Sequence, residues 1–369
     1  MKEKNRKVKK VSIILGILLV VSVAGMFVAK AVIFPHYDGR PVTGGYSVEQ
    51  AEVILKDTAR EDSFETDGTC CEVPVHFYYP GNAADGDKFP LVIFSHGAFG
   101  FYKSNYSTYT ELASNGYVVA ALDHPHHSFF THNTDGKTII VDTEFFANAL
   151  NANDETTSEQ EIENMATEWL SLRTADVNFV IDTLKNHDSG SAFGDEWFFT
   201  DNNEETVSDV LEVTDFEKIG LMGHSLGGAT AEILGRTRDD ITAVIDLDGT
   251  MLGENNGTEA DEPYPVPILN IDNEEHHFSR IEAKNTGMTY SNNVVMDNAV
   301  EGYDTYFAKA GHMNFTDLPL FSPVLASLLG TGEIDAEYCV DETNRLVLEF
   351  FNARLKGNGE FSVKDCYGN

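Results

Sequence analysis

A serine set among glycines, Gly223-His224-Ser225-Leu226-Gly227 with Gly228 next, is the strongest chemical signal in this chain. A serine hydroxyl is a weak nucleophile until it is presented on a sharp turn and relieved of its proton. The apolar run Ile219-Gly220-Leu221-Met222 enters the motif and a small-residue segment, Gly227 to Gly235, leaves it. That strand, turn and helix order is the context in which such a motif presents a nucleophile for acyl transfer, which makes Ser225 the expected attacking group. The competing structural explanation is a glycine-rich turn around a buried serine.

A nucleophile of this kind needs a base, an acid behind the base, and donors for the oxyanion. In this arrangement the acid and then the histidine follow the serine along the chain. After Ser225 the remaining histidines are His276, His277 and His312. His276 and His277 follow the preceding apolar run too closely, whereas His312, in Ala310-Gly311-His312-Met313-Asn314-Phe315, lies on a loop past the last candidate strand. Two aspartates each end a strand, Asp248 and Asp272, and position alone tips toward Asp272. One oxyanion donor is expected from the Leu226 N–H and the second from the Ala98 N–H, within the glycine-rich Ser95-His96-Gly97-Ala98-Phe99-Gly100. His96 is read as a residue that holds this loop. No cofactor is required, and no CxxC spacing supports a zinc site. Asp123-His124-Pro125-His126-His127-Ser128 is rich in histidine, but no carboxylate or thiolate spacing completes a metal site there.

The elements that must position these groups alternate strand with helix. Val73 to Tyr79, Pro90 to Phe94, Tyr117 to Leu122, Glu217 to Met222, Ile241 to Leu247, Val266 to Ile271 and Tyr303 to Ala308 read as strands. Several are continuous apolar runs, as in a parallel sheet covered on both faces. Tyr106 to Ser114, Glu159 to Asn186 and Glu342 to Leu355 read as helices, and Ser47 to Arg60 as a short helical lead-in. Acid-rich stretches at Asn151 to Glu163 and Asp195 to Glu217 read as solvated insertions. Phe129, Phe130, Phe145, Phe146, Trp197, Phe198 and Phe199 suit either an acyl pocket and membrane-facing lid or ordinary core. The expected architecture is α/β, with no repeat and no internal linker.

The chain carries 25 basic and 60 acidic residues, for a net charge of −35. Such a surface repels phosphate backbones, which excludes sequence-independent nucleic-acid binding. Six of the basic residues fall in the first ten positions and precede the 19 uncharged residues Val11 to Ala29. This is long enough to cross roughly 30 Å of hydrocarbon, with the basic flank cytoplasmic and the body outside. Ala29-Lys30-Ala31 also fits a signal-peptide cleavage site, so residues 1–35 are expected to anchor or to export residues 36–369, an extracytoplasmic domain. An oxidising exterior permits disulfides among Cys70, Cys71, Cys339 and Cys366, with Cys339 to Cys366 the preferred pair and free thiols the alternative.

Four segments together, Phe94-Ser95-His96-Gly97, Gly223 to Thr230, Leu247-Asp248-Gly249-Thr250-Met251 and Gly311-His312-Met313-Asn314-Phe315-Thr316-Asp317, resemble the plasma-type platelet-activating factor acetylhydrolases and their bacterial relatives. The resemblance covers roughly residues 74 to 355. It implies an α/β-hydrolase fold, a Ser225, Asp248 and His312 triad, and short-acyl ester hydrolysis on small or phospholipid-like substrates. It favours Asp248 over Asp272, because in that family the acid follows the strand after the nucleophile's helix. The chain departs from the family at Thr250, where an aromatic residue is usual, and in its acidic insertions. A serine peptidase on the same scaffold, or an inert surface-displayed binding protein, remain alternatives.

Overall fold

The computed structural model describes residues 37, 39–151, 157–187, 192–200, 203–250 and 262–368. The apolar segment Val11 to Ala29 lies outside them, as does Met251. Among the described residues no helix is long and apolar enough to cross a membrane.

The strands are β1 (Val48–Glu61), β2 (Cys70–Pro80), β3 (Phe89–Ser95), β4 (Val118–Leu122), β5 (Phe130–His132), β6 (Thr138–Ile140), β7 (Trp197–Phe199), β8 (Thr214–His224), β9 (Ile241–Leu247), β10 (Ile268–Asn273), β11 (Gly302–Phe307) and β12 (Cys366–Tyr367). The helices are α1 (Tyr106–Ser114), α2 (Thr143–Asn151), α3 (Glu159–Asn186), α4 (Glu204–Val213), α5 (Leu226–Thr237), α6 (Glu274–Thr286), α7 (Ser291–Asn298), α8 (Leu318–Phe321), α9 (Pro323–Leu328) and α10 (Ala336–Arg354), with a 3₁₀ turn at His312–Phe315.

A ten-stranded sheet runs in the order β12-β11-β10-β9-β8-β3-β4-β2-β1-β7, with β5 and β6 as a separate hairpin. From β12 to β4 every neighbour is parallel, and β2, β1 and β7 join antiparallel. The apolar runs are continuous because alternate side chains enter two separate cores. Leu91, Ile93, Val118 and Ala120 face one core, built on Trp169, Val177 and Ile181 of α3. Val92, Phe94, Val119 and Ala121 face the other, with Tyr109 of α1 and Phe350 and Phe351 of α10. Helix α3 begins at a capping box: the Glu161 N–H donates to Ser158 Oγ and the Ser158 N–H donates back to the Glu161 carboxylate.

Three sequence expectations are corrected. Ser47 to Arg60 is not a helix but most of β1, with Val53 paired to Val75 on one side and Phe199 on the other. Its Ala, Glu and Lys favour helix only weakly, and burial of Val53, Ile54 and Leu55 between two partner strands overrides that preference. The acidic stretch Asp195 to Glu217 is not a solvated insertion throughout. Part lies outside the described residues, but β7 closes the sheet edge and Val207, Val210 and Leu211 of α4 are core. The preferred Cys339 to Cys366 bridge is absent: all four cysteines are free, with Cys339 buried in α10 and Cys366 exposed. The aromatic residues divide, since Phe145 and Trp197 are buried while Phe129, Phe130, Phe146 and Phe198 are exposed.

Sheet order has one consequence for chemistry. Strand β3 is followed through α1 by β4 on one side, while β8 lies on its other side, so the connections diverge at β3 and β8. The crevice outside the carboxyl ends of strands at such a point is where α/β sheets hold ligands.

Candidate active site

Ser225 stands between the end of β8 and the first residue of α5, with φ 57° and ψ −122°. A non-glycine residue at positive φ costs energy and is kept where its surroundings over-determine it. Here the surroundings are backbone packed against backbone. A Cβ on Gly223 would sit 2.2 Å from the Gly227 carbonyl carbon, and one on Gly227 would sit 1.9 Å from Ser95 O. A Cβ on Gly228 would meet Asp246 Oδ1 at 1.8 Å. The three glycines let α5 start against the ends of β3 and β9, and the Ser225 N–H donates to Leu247 O at 3.0 Å. Gly227→Ala is therefore expected to destabilise the protein by at least ~1–3 kcal/mol, read as a fall in Tm. An unchanged Tm would mean the helix and strand are not in this close contact.

Asp248, just past β9, is buried and also has positive φ, at 58°. Its two oxygens are fully used. Oδ1 accepts from the Asn273 N–H at 2.6 Å and from His276 Nδ1 at 3.0 Å, and Oδ2 accepts from Asn273 Nδ2 at 2.7 Å and from His312 Nδ1 at 2.6 Å. Burial alone would raise this carboxyl, but the hydrogen bonds and charge of His276 and His312 hold it below the usual carboxylate range. With Nδ1 donating to Asp248, the other ring nitrogen of His312 is left to accept a proton. The His312 ring lies 4.5 Å, centroid to centroid, from that of His224, and His224 Nε2 donates to His312 O at 2.9 Å. Since His224 precedes Ser225, this bond ties the His312 turn to the serine's own strand. Burial holds the His224 imidazole down to about 3, so it is a neutral donor. The turn is fixed by Asn314 Oδ1, which accepts from the Gly311 and Gly332 N–H groups at 2.8 and 2.7 Å.

Asp272 belongs elsewhere. It is buried and ion-paired with Arg280, which also holds Asp304 at 2.9 Å. Burial pushes it up to about 6. His277 stacks on Tyr306 at 3.9 Å.

Leu226 opens α5, where an amide has no acceptor within its own helix. Ala98 lies on the loop after β3, and a Cβ on Gly97 would come 3.1 Å from Ser225 Cβ, so loop and serine turn are in contact. Arg173 of α3 lies fully buried beneath this loop. Its Nη1 donates to His96 O, its Nη2 to Gly97 O at 3.3 Å, and its Nε to His127 Nδ1 at 3.3 Å. Because a peptide N–H points opposite to its C=O, holding the His96 and Gly97 carbonyls toward α3 turns the Gly97 and Ala98 amides the other way, while the Phe99 and Gly100 amides donate to His127 O and Gly97 O at 3.1 Å. His96 Nδ1 meets Gly97 O at 2.6 Å and Nε2 meets Ser128 Oγ at 2.8 Å. His124 joins Asp176 at 2.8 Å to Ser95 Oγ at 3.2 Å. Burial holds the His96, His124 and His127 rings well below the usual histidine range. His126 instead meets Asp62 at 3.2 Å and stacks on Phe64. The histidine-rich segment thus serves separate partners under the loop.

Sequence reasoning missed three of these groups. Arg173 carried a signal, because it falls three residues after Leu170 and four before Val177, on the apolar stripe of α3. Asn273 and His276 carried little: a histidine next to a strand end has no local mark of the carboxylate it will meet.

The family described as "Platelet-activating factor acetylhydrolase, isoform II" matches residues 60–368. The platelet-activating factor acetylhydrolase of Canis lupus familiaris is 25% identical over 289 residues, covering 76% of this chain and 60% of the relative. That of Cavia porcellus is 26% identical over 290 residues, covering 73% and 58%. The chain therefore spans about 60% of the length of these curated relatives. A solved ferulic acid esterase from Streptomyces cinnamoneus superposes with a TM-score of 0.62 at 20% identity, over 87% of this chain and 93% of that one. The fold is common to both.

Proposed function

Because this chain belongs to the platelet-activating factor acetylhydrolase, isoform II family, we propose that it hydrolyses short-acyl carboxylic esters on an α/β-hydrolase scaffold, with Ser225 as nucleophile. The observation that carries this reading is the hydrogen-bonded His312 and Asp248 pair beside the strained Ser225 turn.

Ser225 Oγ attacks the ester carbonyl carbon while His312 takes its proton. The Leu226 and Ala98 amides receive the oxyanion, worth about 2.7–4 kcal/mol per donor in comparable sites. The intermediate collapses, the C–O bond to the alcohol breaks, and His312 returns the proton to the leaving oxygen. Water, deprotonated by His312, then attacks the acyl carbon, the C–Oγ bond to Ser225 breaks as His312 returns the proton to Oγ, and the acid leaves. Asp248 stays ionised and holds the imidazole in its working tautomer. No cofactor enters these steps.

The names of the relatives support an acetyl ester on a phospholipid-like alcohol as one substrate, with small soluble esters as others. Phe99 of the loop and Phe146 of α2 lie 5.0 Å apart, centroid to centroid, and offer an apolar wall for the acyl side. The basic cluster and uncharged run of residues 1–35 support export of the domain 36–369, as an anchored or a released enzyme.

A panel of p-nitrophenyl esters of increasing acyl length, beside matched peptide substrates, tests this. Turnover should be confined to esters and fall as the acyl chain lengthens, and a fluorophosphonate probe should label Ser225. Cleavage of peptides alone, or failure of the probe to label Ser225, would overturn the assignment.

A further inference from the structure

We propose that His276 is a positioning residue for the same reaction: by sharing Asp248 with His312 it offsets part of the acid's charge and lowers the pH at which turnover begins. This rests on the reading of Ser225, Asp248 and His312 given above. The geometry sets His276 apart from a chance neighbour. Asn273 caps α6, its Oδ1 accepting the His276 N–H at 2.8 Å, while its own N–H and Nδ2 donate to Asp248. The first turn of α6 is thereby latched onto Asp248, and the His276 ring is aimed at Oδ1, the oxygen that His312 does not use. The two imidazoles stand 5.8 Å apart across one carboxylate. Each is about one third exposed, while the carboxylate is 0% exposed.

The groups facing His276 decide its charge. Asp248 from β9, Asp272 from β10 and Glu275 from the same helical turn are acidic, His312 and His224 are the imidazoles across the site, and Arg280 is committed to Asp272 and Asp304. The start of α6 disfavours a cation, but Glu274 and Glu275 occupy that turn. Burial would lower His276, yet the hydrogen bond and charge of Asp248, with Asp272 and Glu275, carry it up to about 9. At neutral pH His276 is thus an imidazolium sharing Asp248's charge. That positive charge stands across one carboxylate from the His312 ring, 5.8 Å away, so removing it is read as a change in the acid limb of the reaction's pH profile.

The test is the pH profile of kcat/KM on a short-chain p-nitrophenyl ester for the full chain, His276→Gln and His276→Phe. Glutamine keeps a donor for Asp248 without a titratable charge, and at a partly exposed position it is tolerated by the fold. Both variants should move the acid-side inflection up by about one pH unit, which is a roughly tenfold lower kcat/KM on the acidic limb. Inflections that coincide with the parent in both variants overturn the proposal. So does a shift in His276→Phe alone, which assigns the effect to the lost hydrogen bond and not to charge. Failure of the underlying triad is seen separately, as undiminished turnover in Ser225→Ala, and removes the premise with it.

Discussion

Ser225→Ala is expected to remove ester turnover, with kcat falling by ~10⁴- to 10⁶-fold. The loss is that large because nucleophile and base act as one unit: without the hydroxyl, His312 has no proton to take, and only binding and the oxyanion donors remain. The fold should survive, since alanine adds no atom to a turn already shaped by the approach of α5 to β3. A second substitution separates chemistry from architecture. Ser225→Gly should be equally inactive yet more stable than Ser225→Ala by about 1 kcal/mol, because φ of 57° burdens any residue with a Cβ and not glycine. Steady-state kinetics with thermal melts checks both. Full activity in Ser225→Ala ends the assignment, and a glycine variant no more stable than alanine denies the strained turn.

Asp248→Asn is expected to lower kcat by ~10⁴-fold, whereas Asp272→Asn should change it by less than about tenfold and appear mainly as a lower Tm. The asymmetry follows from what each carboxylate accepts. Asp248 takes four donated hydrogens, and an amide NH₂ in its place sets a donor against the Asn273 side chain or against an imidazole Nδ1–H. Either His312 flips to the tautomer that cannot take the serine's proton, or its orientation is lost. Asp272 answers Arg280 instead, so its removal leaves a buried cation short of one partner without touching the imidazole. Parallel kinetics and melts of the two variants give the ranking. A larger loss of kcat at Asp272 would refute it.

The strands and the serine turn were legible in the sequence because both are local. Alternation or continuity of apolar residues reports how many faces of a strand are covered, and β3, β4, β8, β9 and β10 carried that pattern. Strand β1 was not legible, since its helix-favouring residues become a strand only through β2, which is local, and β7, which is far along the chain. The cysteines misled for a similar reason: closeness to the chain end says nothing of whether two Cβ atoms face each other.

What the sequence determined by itself was a serine on a strand-to-helix turn, a parallel sheet beneath it and a distant histidine on a late loop. Its spacing also admitted two acids and offered no means to separate them, except by resemblance to a family. Only the tertiary structure decided that His312 meets Asp248, that Asp272 is bound to an arginine, and that a second histidine shares the acid. The physical reason is that a hydrogen bond reaches only about 3 Å. Partners are therefore set by which strand ends lie side by side, a property of sheet order that the distance between residues along the chain does not contain.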